Sequence, residues 1–280
     1  MGLEWWATSC KTDPENPCRH APTVSTDAAA MELALMFHKC NNLVVENLII
    51  MNGQQCQMSI TTCDGVKASR LSISAPASSP NTDGIHISES TNVEVKDTAV
   101  GTGDDCISIV SNSSKVTVTR IACGPGHGIS VGSLGESGTC DQVYDVSVRE
   151  AFLSNTENGL RIKTWQGGTG FVRNVKYENV WMVNVSHPII IDQYYCDSSK
   201  ACPNETSAVN VENISYVNIK GTSANNEAIR FACSDVSPCE MLYLEDVELV
   251  SAKGGTTTSF CWEARGSSSG TAKMVKDWLD

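Results

Sequence analysis

The sequence predicts an all-β chain wound as a single-stranded parallel β-helix, a solenoid, and three observations predict it. The first is a repeated frame. Asn81-Thr82-Asp83-Gly84-Ile85-His86-Ile87, Gly103-Asp104-Asp105-Cys106-Ile107-Ser108-Ile109 and Gly126-His127-Gly128-Ile129-Ser130-Val131 align so that Asp83, Asp105 and His127 share a column. The intervals are 105 − 83 = 22 and 127 − 105 = 22 residues. A strand repeated at a period of about 20 to 50 residues marks a solenoid, whose coils stack about 4.8 Å apart. The second is a series of β-rich runs, each closed by a turn with Gly, Asn or Asp. The third is the lack of any helical period beyond residue 40. A β-sandwich is the competing reading, and the 22-residue frame argues against it.

Taken in order, residues 1–40 read as an irregular segment with Trp5-Trp6, Pro14, Pro17 and Pro22. Within it, residues 27–37 (DAAAMELALMF) have the composition of a short helix. Coils are expected over 41–265. Asn42-Leu43-Val44-Val45 resembles Asn92-Val93-Glu94-Val95, and further versions begin at Gly65, Lys115, Asp145, Asn174, Val209 and Met241. Residues 266–280 read as a divergent tail, and the whole of 1–280 as one domain.

A solenoid accommodates 280 residues without widening its core, and 41% hydrophobic residues suffice to fill it. The net charge of −12 argues against nucleic acid or an anionic membrane surface as a partner. No apolar stretch is long enough to span a bilayer. Thirteen cysteines point to an oxidising compartment. Several lie close in sequence: Cys10 and Cys18, Cys106 and Cys123, Cys196 and Cys202, Cys233 and Cys239. Zinc is the alternative use of such residues, but none of these pairs has CxxC spacing. Sequons at Asn112, Asn184, Asn204 and Asn213 agree with secretion, although residues 1–30 contain no signal-like apolar core.

Strand alternation is read as turning Ile85, Ile107 and Ile129 inward and Asp83, Asp105 and His127 outward. Asp104 projects differently from Asp105 unless the backbone bends at Gly103. Three carboxylates then crowd one patch, and like charges that close raise one another's pKa. Arg161 and Lys163, two apart and flanked by Leu160 and Ile162, project to the same outer side, ready for an anionic substrate. Each residue also has a plainer use. Aspartates in turns cap them, an outward histidine is solvated, and the two cations neutralise nearby acids. Clustered carboxylates also suit calcium.

Asn81-Thr82-Asp83, Gly103-Asp104-Asp105, Gly126-His127-Gly128 and Arg161-Ile162-Lys163, in this order, resemble the four motifs of polygalacturonases, the pectin hydrolases of glycoside hydrolase family 28. The wider strings SPNTDGIHIS, GTGDDCISI, CGPGHGIS and NGLRIKTWQGG resemble the plant branch. The likeness covers most of 40–265. It implies a right-handed helix that hydrolyses α-1,4 galacturonosyl bonds with inversion, as a secreted monomer of the plant cell wall acting on pectin, with no metal or other cofactor. Asp104 would be the general acid, with His127 supporting its protonation. Asp83 and Asp105 would hold and activate water, Arg161 and Lys163 would bind substrate carboxylates, and Asn81 and Tyr195 would contact sugar. Inversion needs acid and base about 6.5–9.5 Å apart.

Trp165-Gln166-Gly167-Gly168 leans toward endo-acting enzymes. The resemblance implies the pairs Cys10–Cys18, Cys40–Cys63, Cys106–Cys123, Cys196–Cys202 and Cys233–Cys239, with Cys56, Cys140 and Cys261 left over. Three departures follow. Plant members carry a signal peptide and N-terminal coils that this chain lacks, Gln57 stands where these enzymes usually have His, and 271–280 diverges. The rival readings are a pectin-binding β-helix without catalysis and a calcium-dependent lyase.

Overall fold

The computed structural model describes residues 6–7, 34–198 and 201–271, and from residue 34 onward it is dominated by strands. These form two stacks of parallel pairs, one of nine strands from Leu35–His38 to Thr258–Trp262 and one of 11 from Asn41–Glu46 to Ala264–Ser269. The chain alternates between the two stacks and advances one strand spacing per circuit, which is a right-handed parallel β-helix.

The registers show why this sequence winds this way. In the nine-stranded sheet Met58, Ile85, Ile107, Ile129, Leu160, Ile189 and Ile229 lie in one column, each no more than 2% exposed. Facing it, Val66, Val93, Val116, Val146, Val175, Ile214 and Leu242 form a column in the other sheet, equally buried. β-Branched side chains suit a pleated surface, and each such burial contributes about 1.5–3 kcal/mol. The recurring Asn and Asp have a turn role. Asn42, Asn92, Asp145, Asn174 and Asn213 all have φ between 53 and 57°, a left-handed conformation these residues tolerate. They also link coils, because Asn213 Nδ2 donates to Asn174 Oδ1 at 2.8 Å and Asn174 Nδ2 to Asp145 Oδ1 at 2.9 Å.

Several expectations change. The helix over 27–37 is not formed in its described part, since Leu35–His38 is a strand paired with Met58–Thr61. Helical composition yields there to the pairing that lays Leu35 and Phe37 against the core. Residues 27–33, and the pair Cys10–Cys18, lie outside the described residues. Strands also begin before residue 41 and run past 265, to Ser269. Cys106–Cys123, Cys196–Cys202 and Cys233–Cys239 are bonded as expected. Cys40 and Cys63 are free thiols instead, with the Cys40 N–H donating to Cys63 Sγ at 3.3 Å.

Candidate active site

The site lies on the outer face of the nine-stranded sheet, where the turns entering three successive strands meet. Ile85–Ser88, Ile107–Ile109 and Ile129–Leu134 begin two residues after Asp83, Asp105 and His127. Those residues therefore do not follow strand alternation. They share the parity of the inward isoleucines, and the bends ahead of each strand turn them out. At Gly103, in the turn ahead of Asp104 and Asp105, a Cβ would sit 2.0 Å from the Ser79 carbonyl oxygen, so only glycine fits. Cys106–Cys123 anchors the same turn from behind.

The outward column of the strands proper is His86, Ser108, Ser130 and Arg161, in consecutive register. Its members support the aspartates. Ser108 Oγ donates to Asp83 Oδ2 at 2.7 Å and shares a 2.8 Å hydrogen bond with His86 Nδ1. Asp105 is 1% exposed and is held by three donors: Ser130 Oγ at 2.7 Å, Arg161 Nη2 at 2.7 Å and Lys163 Nζ at 3.0 Å. Burial works to lower the pKa of both cations, and the Asp105 carboxylate outweighs it, so both stay charged.

Asp104 has a different partner. Its Oδ1 accepts His127 Nδ1 at 3.0 Å and the Asp105 N–H at 2.8 Å, while Asn81 Nδ2 reaches Oδ2 at 3.5 Å. Burial would raise its carboxyl, as the crowding of carboxylates was also expected to do. The hydrogen bond and charge of His127, then the charge of Lys163, prevail and hold it at about 2. The correction has a simple cause: each of these two neighbouring carboxylates has its own cation. Burial likewise works against charge on His127, and Asp104 and Glu157 outweigh it, so the imidazole is held protonated above its ordinary range.

The other sequence candidates also converge. Tyr195 lies beside Lys163, whose Nζ is 5.3 Å from its ring centroid, and Trp165 meets the same ring edge-on. Gln57 is fully buried. Its Oε1 accepts the Gly53 N–H at 2.8 Å and its Nε2 donates to the Gln55 carbonyl at 2.6 Å, so it braces a turn. Asp104, Asp105 and His127 bring ligand-type atoms within 4.8 Å of one another. With Asp105 already held by two cations and His127 protonated, a divalent cation would meet repulsion there.

Sequence reasoning missed four supporting residues. His86, Ser108 and Ser130 each stand three places after a column residue, so the 22-residue frame contained them. Glu157, whose Oε2 lies 3.3 Å from His127 Nε2, precedes the Asn158–Trp165 strand and had no signal of its own.

Comparison with known proteins gives the family. Residues 1–270 match the model of the family described as glycosyl hydrolases family 28. A probable polygalacturonase of Arabidopsis thaliana is 55% identical over 96% of this chain and 59% of its own length. Polygalacturonase-2 of Solanum lycopersicum is 49% identical over 93% of this chain and 55% of its own length. The chain thus spans little more than half the length of these relatives. Among solved structures, a polygalacturonase from Erwinia carotovora superposes with a TM-score of 0.72 at 25% identity, covering 95% of this chain and 65% of that one. Because the family model matches 1–270 of its 280 residues, the chain belongs to glycosyl hydrolases family 28.

Proposed function

We propose that the chain is a polygalacturonase that hydrolyses α-1,4 galacturonosyl linkages of pectin with inversion, in endo fashion, as a single β-helix domain secreted as a monomer to the plant cell wall. The observation that carries this reading is the gathering of three carboxylates, one imidazole and two cations on one face of one sheet. The names of the relatives at 48–55% identity support the same activity. Among the described residues no helix is long and apolar enough to cross a membrane.

In this reading Arg161 and Lys163 attract a substrate carboxylate, and Asn81 and Tyr195 contact its sugar. Asp104 and His127 share one proton, which resides on the imidazole while water reaches the pair. A sugar docked over them removes that water. The lower dielectric then favours the uncharged pair, a carboxylic acid beside a neutral imidazole. Asp104 passes the proton to the leaving glycosidic oxygen as the C–O bond breaks. A water attacks the anomeric carbon from the opposite face. Asp83 takes its proton, and Asp105, fixed by Ser130, Arg161 and Lys163, orients it.

Release of reducing ends from polygalacturonate at mildly acid pH, with chelator present, tests the reading. Activity that survives chelation and disappears in Asp104→Asn supports it. An unsaturated, ultraviolet-absorbing product that chelator abolishes would replace it with a calcium-dependent lyase. A folded chain that binds pectin without cleaving it would leave a binding module.

A further inference from the structure

Beyond the catalytic turns the same sheet face changes character. A cleft of about 380 Å³ opens there, lined by Asp192, Tyr194, Arg230, Ala232, Phe260 and Trp262. It continues the catalytic columns. Lys163, Asp192, Ala232 and Trp262 stand in consecutive register, as do Arg161, Ile190, Arg230 and Phe260. Three strand spacings put Trp262 roughly 14 Å from Lys163 along the helix axis, a few sugar units away.

Two features define what this cleft would hold. The first is a fixed aromatic platform. Trp262 is 50% exposed and Phe260 37%, yet neither side chain hangs loose. Trp262 Nε1 donates to Asp235 Oδ1 at 2.9 Å, and the Tyr194 hydroxyl donates to the other oxygen of that carboxylate at 2.9 Å. The Arg230 guanidinium lies 4.5 Å from the centre of the Phe260 ring. Exposed, immobilised aromatic faces stack on the C–H face of a pyranose. The second feature is charge. Arg230 is the one cation among these groups, it is already paired with Glu227 at 3.1 Å, and Asp192 and Asp235 add two further carboxyls. A free uronate would meet net repulsion, whereas the catalytic turns beside it are lined by Arg161, Lys163 and the protonated His127.

We infer that the Arg230–Phe260–Trp262 cleft is an outer subsite for an uncharged pyranose, a galacturonate residue whose carboxyl is masked as its methyl ester, on the same polysaccharide whose free carboxylate docks at Arg161 and Lys163. The inference rests on the proposed hydrolase reading and adds a substrate class to it: pectin chains that are free at the scissile point and esterified beyond it.

The test compares the wild type with Trp262→Ala and Trp262→Phe on fully de-esterified polygalacturonate and on partly methyl-esterified pectin. Loss of one stacking contact predicts a fall in kcat/KM on the esterified polymer of about three- to tenfold in Trp262→Ala, with less than about a twofold change on the de-esterified one. Trp262→Phe restores most of the difference. A second arm needs no turnover. Calorimetry on the Asp104→Asn background measures binding of an oligogalacturonate and of its methyl ester, and Trp262→Ala weakens the ester alone. Equal losses on both probes, or no loss on either, overturn the subsite. So does sedimentation showing that Trp262→Ala splits a dimer, because the patch would then join copies of this chain. A wild type that cleaves nothing while its ester binding depends on Trp262 would sink the hydrolase reading and keep the subsite.

Discussion

The two sheets carry the same kind of ion pair at almost the same distance, with opposite consequences. On the 11-stranded sheet Arg120 Nε donates to Asp97 Oδ1 at 2.6 Å, with the two side chains 50% and 35% exposed. On the nine-stranded sheet Arg161 Nη2 donates to Asp105 Oδ1 at 2.7 Å, with side chains 10% and 2% exposed. Water screens the first pair, so it contributes little either way. Water scarcely reaches the second, where removing either partner leaves an uncompensated buried charge. Distance alone does not distinguish a solvated face from a site; burial does.

The comparison can be broken most directly at its chemical end. Asp104→Asn removes the proton donor and is expected to lower kcat by about 10²- to 10⁴-fold, measured as reducing-end release. Retained activity would move the acid elsewhere in the cluster. Next comes Asp105→Asn, which strands two buried cations. A loss of about 3–5 kcal/mol in urea unfolding is expected, with the slope unchanged. A loss below about 1 kcal/mol would mean that water reaches Arg161 and Lys163 as it reaches Arg120. Behind the same turn, Ile107→Val trims one methylene from a fully buried column and should cost about 0.5–1.5 kcal/mol.

A pH series separates the His127–Asp104 pair from both. The Asp104 carboxyl is depressed from 3.8 to about 2, so its contribution is present above 3.8 and fades as pH falls toward 2. The His127 imidazole is raised above 6.5, so its contribution is present below 6.5 and fades as pH rises through the folded value. The Tm difference between wild type and His127→Gln should therefore be widest between pH 3.8 and 6.5 and close on either side. A difference that does not vary with pH would show that the ring packs without titrating. The smallest effect belongs to Asp97→Asn, for which no shift in midpoint is expected at physiological salt.

Much of the site was legible in the sequence because a solenoid converts sequence period into spatial stacking. The 22-residue interval of Asp83, Asp105 and His127 is the register of the Ile85, Ile107 and Ile129 strands, so equal spacing in the sequence is strand pairing in space. Arg161 and Lys163 fell on one face because strand alternation does govern that longer strand. Where the chain bends, alternation failed. The aspartates face out although they share parity with inward isoleucines, since bends at Gly84 and Cys106, between each aspartate and its isoleucine, reverse the side-chain direction without changing the count. Residues 35–38 misled for a related reason. Their composition suits a helix, and only the neighbouring strand Met58–Thr61 makes them extended.

The sequence by itself determined the fold class, the columns and the identity of the charged groups, because all three follow from local periodicity repeated coil after coil. Tertiary structure decided which cation holds which carboxylate, and with it the direction of every pKa shift in the site. Asp104 and Asp105 are adjacent in the chain and chemically identical, yet one faces His127 and the other faces Arg161 and Lys163. Those partners lie 23, 56 and 58 residues away. Electrostatic energy depends on distance through space and on the exclusion of water, and neither is a property of the residue order.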